Sequence, residues 1–323
     1  MKLNRRDALG LAVGGLASLA SGAKAQSVYP DHAIHVPLGF APGAGADILA
    51  RYYAHKLEEL AKQPVIVDNK PGATGNIALR FAAHAEPDGY TILFTANSNM
   101  AGSLYLFKEP PVDTLNDFKP VASFAQIAFV MVVAPNSPVN TVAELIARIK
   151  SKPDSIAGYT NQTGQLATEL FKQMTGLAVR TVSYKSTADS MKDVLDGTLD
   201  FMVIDGTFAA GQVRQGQLKA LAVTTAKRSP TFPDTPTLQE TGLAGFEFAP
   251  WWCVYVPAKT PQPIIDKLGA WMHQIAKDPD TPKFLESVGS IVNDDTAAEA
   301  DARLRAELPK WDKLVKAAGI ELQ

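Results

Sequence analysis

The chain of 323 residues is too long for one small domain and long enough to bury two hydrophobic cores. Its hydrophobic content of 46% and mean hydropathy of −0.02 are typical of a globular protein. The formal net charge of −2 provides no basic surface, so we expect no nucleic-acid partner.

The N-terminal residues carry the features of an export signal. Basic residues near the start are followed by an apolar run over 8–20, which is too short to span a bilayer, and by Ala23-Lys24-Ala25, which resembles a cleavage site. The pattern predicts that residues 1–25 are a signal peptide, removed on export to the periplasm. Residues 4–9 also resemble a twin-arginine signal, and the choice between the Tat and Sec routes stays open. A retained anchor helix is the less favoured alternative.

From Ala33 onward, short apolar runs alternate with segments of helical periodicity. Strands are predicted over 33–40, 64–68 and 90–95, with helices over 46–62 and 76–85. This βαβαβ order favours a parallel sheet with right-handed crossovers. Ligands bind beyond the carboxyl ends of strands in such sheets. The turn after Phe40 and the polar turn at Asn97 and Ser98 are both expected there.

A second alternation of the same kind follows. A long apolar run over 121–134 is interpreted as one strand that crosses into a second domain. The predicted helices there are 142–150, which Thr141 would cap, 165–175, 187–195 and 208–215, and the predicted strands are 155–160, 180–184, 199–204 and 219–224.

The C-terminal part is predicted to return to the first domain. A proline-rich loop from Arg228 leads to a strand over 246–256 and to helices over 263–277, 282–288 and 297–318. Two chain crossings between domains make a hinged cleft that can close on a ligand. We therefore predict one lobe from 26–120 plus 228–323 and another from 121–227.

The turn from Phe40 to Asp47 is the leading candidate for an anion site. A strand, a glycine turn and a helix in succession leave unpaired backbone N–H groups at a helix N-terminus, where the macrodipole is positive. An ordinary turn without a ligand is the alternative. Asp47 either contacts the ligand or caps its own helix, and we favour the cap. Asp205 either accepts a hydrogen bond from a ligand hydroxyl or amine or caps the helix after Gly206.

The sequence contains no recognisable catalytic or metal-binding motif, so we predict no catalytic residue, no metal and no cofactor. His32 and His35 are close together but lack a third ligand at a suitable spacing. Lys185 could pair with a ligand carboxylate, but a solvated lysine is the favoured interpretation. Cys253, the only cysteine, lies in an apolar run and is expected to be a buried, inert thiol.

Several motifs, weak singly, become specific through their order and spacing. They include FAPGAGADILAR at 40–51, VDNKPGATGN at 67–76, PDGY at 87–90, and RSP at 228–230 with PDTP at 233–236. Over essentially the whole mature chain, they resemble the Bug family, the extracytoplasmic solute receptors of tripartite tricarboxylate transporters. The resemblance implies an α/β periplasmic-binding-protein type II fold of two lobes. It also implies a small organic carboxylate as ligand and the membrane permease subunits of the transporter as partners.

The resemblance further implies that one turn of each lobe grips the ligand. The first grip is Phe40, Ala41, Pro42, Gly43, Ala44, Gly45, Ala46 and Asp47, and the second is Thr160, Asn161, Gln162, Thr163, Gly164 and Gln165. The chain departs from the family where Ala44 and Ala46 replace a glycine and a hydroxyl residue, and where Gln165 stands in a histidine's place. Further candidate contacts are Thr95, Asn97, Ser98, Tyr184 and Asp205, although Asn97 and Ser98 could equally form a plain turn.

We therefore expect a monomeric periplasmic receptor for a small organic carboxylate. One alternative is an exported enzyme that acts on a carboxylate with Asp205 or Asp47 as base. Another is a binding protein that feeds a sensor kinase.

Overall fold

Three β-sheets of two, four and five strands, flanked by helices, form the frame of the described part of the molecule. The computed structural model describes residues 29–110, 112–317 and 322, so the predicted signal peptide at 1–25 lies outside the described residues. In the described part, no helix combines the length and the apolar character needed to cross a membrane.

The N-terminal third alternates strands and helices, as predicted. Its elements are β1 (Ile34–Leu38), α1 (Gly45–Ala61), β2 (Val65–Asn69), a 3-10 turn (Ala73–Gly75), α2 (Asn76–Ala83), β3 (Leu93–Ala96), α3 (Asn97–Tyr105) and β4 (Phe118–Ile127). The middle third contains β5 (Phe129–Val133), α4 (Val142–Ser151), β6 (Ile156–Tyr159), α5 (Gln162–Thr175), β7 (Arg180–Ser183), α6 (Thr187–Leu195), β8 (Phe201–Asp205), α7 (Gly206–Arg214) and β9 (Lys219–Val223). The last third contains β10 (Trp251–Pro257), α8 (Gln262–Lys277), α9 (Asp280–Ser287), β11 (Ser290–Val292) and α10 (Ala297–Ala317).

The strands fall into two groups that define the lobes. In the first lobe, β1 and β2 pair in parallel, and a bridge from His35 to Thr91 joins them to a sheet of order β11-β4-β10-β3. In the second lobe, the sheet has the order β7-β6-β8-β5-β9. Its faces are both buried: Phe129 and Met131 face one hydrophobic core, whereas Val130 and Val132 face another. This alternation is the two-residue period of a strand covered on both sides.

The chain crosses between the lobes at Ala128. The run predicted as one strand over 121–134 is therefore two strands, because β4 pairs with β10 in the first lobe while β5 pairs with β8 and β9 in the second. A chain that crosses at the cleft enters each sheet from the cleft side. For this reason β5 is antiparallel to β8, and β10 is antiparallel to β3.

The return crossing lies near Phe248, later than the predicted boundary at 227–228. Leu238 N–H donates to the Val223 carbonyl at 2.9 Å, and Phe248 N–H donates to the Thr224 carbonyl at 2.8 Å. The proline-rich segment after Arg228 thus packs on the second lobe, with Phe232 in its core. We propose lobes of 29–127 plus 249–317 and of 128–248.

Helix starts depend on local capping. The predicted cap of α4 is confirmed, since Thr141 Oγ1 accepts from Glu144 N–H at 3.1 Å. Helix α5 starts at Gln162, earlier than predicted, because Asn161 Oδ1 accepts from Gly164 N–H at 2.9 Å. The segment from Asn97 is helix α3 rather than the predicted turn. Its first seven residues are all buried, so it lacks the polar face that gives an amphipathic helix its sequence period.

Candidate ligand-binding cleft

A cavity of about 360 Å³ lies between the lobes, where the carboxyl ends of five strands converge. Its volume is at the small end of the range for pockets that bind small molecules. The first lobe lines it with the segments that follow β1 and β2, and the second lobe with the segments that follow β6, β7 and β8. The lining residues are Gly39, Phe40, Ala41, Ala44, Gly72, Ala73, Gly75, Tyr159, Thr160, Asn161, Ser183, Tyr184, Lys185, Ser186, Thr187 and Asp205.

Helix α1 presents an N-terminus that no side chain caps. Ala44 occupies the N-cap position without a side-chain hydrogen bond. The backbone N–H groups of Gly45 and Ala46 donate to no acceptor in the described part of the chain. Such groups attract anions, because they are unpaired donors at the positive end of the helix dipole.

The carboxylate of Asp47 accepts hydrogen bonds from residues of its own lobe. One carboxylate oxygen accepts from Gly43 N–H at 2.9 Å and from Arg51 Nε at 2.9 Å, and the other accepts from Asn69 Nδ2 at 2.8 Å. Burial opposes ionisation of this carboxyl, but the hydrogen bonds from Arg51, Gly43 and Asn69 prevail and lower its pKa below the usual range. Asp47 is 3% exposed and does not line the cavity. The structure thus supports the role of shaping the turn.

Asp205 both caps a helix and lines the cavity. Its Oδ1 accepts from Phe208 N–H at 2.9 Å, which makes it the N-cap of α7. It also meets the first lobe, since a Cβ added to Gly45 would lie 1.7 Å from Asp205 Oδ1. Burial is the largest influence on this carboxyl and raises its pKa to about 6, against the lowering effect of the backbone N–H of Phe208. The two roles considered from the sequence are therefore compatible.

The second lobe forms a polar wall. Thr160 and Asn161 follow β6, and Thr160 Oγ1 lies 3.5 Å from Thr187 Oγ1. The hydroxyl of Tyr184 donates to Asp193 at 2.6 Å. Burial and this hydrogen bond raise the pKa of Tyr184 to about 12, so the phenol stays neutral at physiological pH.

Two predicted contacts instead join the lobes to each other. Thr163 Oγ1 donates to Ser98 Oγ at 2.6 Å, and both side chains are buried. Thr163 also lines a void of about 10 Å³ beside the main cavity, together with Ala46 and Trp252. This void has scarcely room for one water molecule. Ser98 and Thr163 therefore hold the lobes together in this conformation.

The remaining predicted contacts lie away from the cavity lining. Pro42 and Gly43 are exposed and do not line the cavity, and Gly45 is buried against Asp205. Thr95 lies within β3. Asn97 donates to Glu307 at 2.6 Å and accepts from Trp251 N–H at 3.1 Å. The buried first turn of α5 contains Gln162, Gly164 and Gln165.

Two segments of the lining were not predicted from the sequence. Gly72, Ala73 and Gly75 follow β2, and Ser183, Ser186 and Thr187 surround the end of β7. Both segments follow strands that had been predicted, and the rule that ligands bind beyond strand ends applies to them equally. Thr207 was also missed. It is buried next to Gly45, and its Oγ1 has no hydrogen-bond partner within the described structure.

The side chains of the described residues form no group of three or more His, Cys, Asp or Glu suited to a metal ion.

Residues 49–320 match the family model described as "Tripartite tricarboxylate transporter family receptor". The chain belongs to this receptor family. The match extends over both lobes and confirms the resemblance found in the sequence.

Several known proteins are similar to this chain over almost their whole length. BugT of Bordetella pertussis is 29% identical over 317 residues, which cover 97% of this chain and 96% of BugT. Rpa4515 of R. palustris, in a structure with adipate, is 30% identical with a TM-score of 0.87, covering 90% of this chain and 98% of that one. The structure of the periplasmic binding protein BugD is 30% identical in sequence, with a TM-score of 0.87. The match covers 91% of this chain and 100% of BugD. The predicted periplasmic-binding-protein fold class is thereby confirmed.

Proposed function

We propose that this chain is a periplasmic receptor that captures a small organic carboxylate in the interlobe cavity and delivers it to the permease of a tripartite transporter. The proposal rests mainly on one observation. Helix α1 begins with backbone N–H donors that no side chain of the described residues caps, and these donors lie at a cavity that both lobes line. The adipate in the structure of Rpa4515 supports a carboxylate as ligand.

The binding step is tested with a thermal-shift panel of mono- and dicarboxylates, followed by titration calorimetry. A ligand present at 100 times its Kd should add about 2.7 kcal/mol to the free energy of unfolding. The absence of both a shift and a binding heat with every carboxylate would refute the proposal.

Ala44→Asp is a directed variant for the same test. Ala44 is the N-cap of α1 and lines the cavity. An aspartate there would accept from the free N–H groups and place a negative charge where the ligand carboxylate is proposed to bind. We expect loss of ligand binding in a variant whose unliganded melting temperature is unchanged or higher, which separates blocked binding from misfolding.

An exported enzyme is the second candidate, because Asp205 is a buried carboxyl at the cavity with a pKa of about 6, as a general base requires. We propose that the protein is not an enzyme. Each carboxylate that binds should therefore be recovered unchanged after long incubation, as judged by NMR. Turnover that Asp205→Asn abolishes while binding persists would establish the enzyme instead.

Export, assembly and output are further parts of the proposal. Mass spectrometry of the periplasmic protein should show a mature chain that begins at Gln26. Size-exclusion chromatography with light scattering should show a monomer. Deletion of the permease genes should abolish uptake of the ligand and leave its binding intact. Continued uptake, with loss of a transcriptional response when the receptor is deleted, would favour the sensor-kinase alternative.

A further inference from the structure

The cavity is lined by only two charged side chains within the described structure, Asp205 and Lys185. Asp205 is the last residue of β8 and lies next to the proposed grip at the N-terminus of α1, whereas Lys185 follows β7. In the sheet of the second lobe, β6 lies between β7 and β8. Because neighbouring strands are about 4.8 Å apart, the ends of β7 and β8 are separated by about 10 Å. The positive charge of Lys185 therefore lies on the side of the cavity away from the first grip.

Among the described residues, the ammonium group of Lys185 has no partner. Its side chain is exposed and takes part in no hydrogen bond or ion pair in the described part of the chain. Other lysines of the same lobe are occupied: Lys152 Nζ lies 3.0 Å from Asp200 Oδ1, and Lys219 Nζ donates to Asn140 Oδ1 at 2.7 Å. A lysine that lines a cavity without a counter-charge is available to an anion from outside.

We propose that Lys185 determines specificity by pairing with a second carboxylate of the ligand, so that the substrate class is linear dicarboxylates. This inference rests on the proposed function, in which the first carboxylate binds at α1. Ser186 and Thr187 lie beside Lys185 in the lining and supply neutral hydroxyl groups next to the cation. Charge-assisted hydrogen bonds are about twice as strong as neutral ones, so one lysine can separate a dicarboxylate from its monocarboxylate analogue. The flexible lysine stem would allow chains of more than one length.

The experiment compares matched ligand pairs by titration calorimetry: adipate with hexanoate, and succinate with butyrate. The variants are Lys185→Met, Lys185→Arg and the control Lys150→Met. Lys150 is exposed on α4 of the same lobe and does not line the cavity, so the control removes the same charge elsewhere. We expect the wild type to bind one dicarboxylate at least about tenfold more tightly than its monocarboxylate partner.

Lys185→Met should remove most of that preference by weakening dicarboxylate binding, with monocarboxylate binding unchanged within about twofold. Lys185→Arg should keep part of the preference, and Lys150→Met all of it. The preference should also shrink as ionic strength rises. Equal melting temperatures of the unliganded proteins would show that the variants are folded.

A failure of the Lys185 proposal can be distinguished from a failure of the receptor function. If the wild type binds both members of a pair equally well, or if Lys185→Met keeps the full preference, the role of Lys185 is refuted and the receptor function stands. If the wild type binds no carboxylate at all, both are refuted.

Discussion

Replacing Asp205 by asparagine should change the dependence of stability on pH in a defined way. Asparagine is as good an N-cap as aspartate, so the cap of α7 on Phe208 N–H is retained. The carboxyl group, however, is lost from a site where burial raises its pKa from 3.8 to about 6. Between these two pH values, the folded chain binds more protons at this site than the unfolded chain does.

The free energy of unfolding of the wild type therefore falls as pH rises through this range, and the loss is complete above pH 6 to 7. A shift of about two pKa units corresponds to about 3 kcal/mol in total, of which about 2 kcal/mol fall between pH 4 and pH 7. The Asp205→Asn variant has no ionisable carboxyl at this site, so it does not lose this free energy of unfolding. Its stability relative to the wild type should thus increase by about 2 kcal/mol between pH 4 and pH 7.

Urea denaturation of both proteins at pH 4, 5, 6 and 7 measures this difference, and the other titrating groups cancel in the comparison. This magnitude requires that the Asp205 carboxyl stay buried against Gly45 at every pH of the series. A difference that is constant with pH would refute the assignment of a raised pKa. A difference that decreases with pH would show instead that the ionised carboxylate is stabilised in the folded chain.

Three further substitutions or reactions test other contacts. Gly45→Ala should cost about 1–3 kcal/mol in urea denaturation and weaken ligand binding, because its Cβ would lie 1.7 Å from Asp205 Oδ1; an unchanged ligand affinity would show that this contact plays no part in binding. Glu307→Ala should cost about 1–3 kcal/mol, because the carboxylate accepts from Trp251 Nε1 at 3.0 Å, and unaltered stability would contradict this. Burial raises the pKa of the Cys253 thiol, so a thiol reagent should react with it only in denaturant; prompt reaction of the native protein would refute its burial.

Most of the secondary structure could be predicted, because it follows from local patterns. The period of apolar residues identified α1, and the hydroxyl of Thr141 marked the start of α4. Two failures have a common cause. The run over 121–134 is apolar throughout, so its periodicity could not reveal the break at Ala128, and α3 is too enclosed to show a polar face. The crossings between sheets depend on pairing with distant strands, such as β4 with β10, which local sequence does not specify.

The binding cleft was predictable only in outline. The family resemblance led to Thr160, and the rule that ligands bind at strand ends led to the turn after Phe40 and to Asp205; all three residues line the cavity. The strand-end rule could not distinguish side chains that face the cavity from side chains that form hydrogen bonds inside the protein. Asn97 is bound by Glu307 from α10, more than two hundred positions later in the chain. Such partners are set by tertiary packing, and a polar residue in a turn looks the same with or without them.

The first turn of α1 is where the geometry argues most directly for an external anion. The backbone N–H groups at a helix N-terminus usually donate to a nearby side chain, and Asp47 would be the obvious acceptor here. Instead, both of its oxygens bind elsewhere, to Gly43, Arg51 and Asn69. Asp205 approaches the same turn, and burial raises the pKa of its carboxyl to about 6. When it is neutral it does not repel a ligand carboxylate, and two carboxyl groups can share a site when one carries a proton. The N-cap without a side-chain hydrogen bond and the raised pKa of Asp205 thus both favour the entry of a ligand carboxylate into this corner of the cleft.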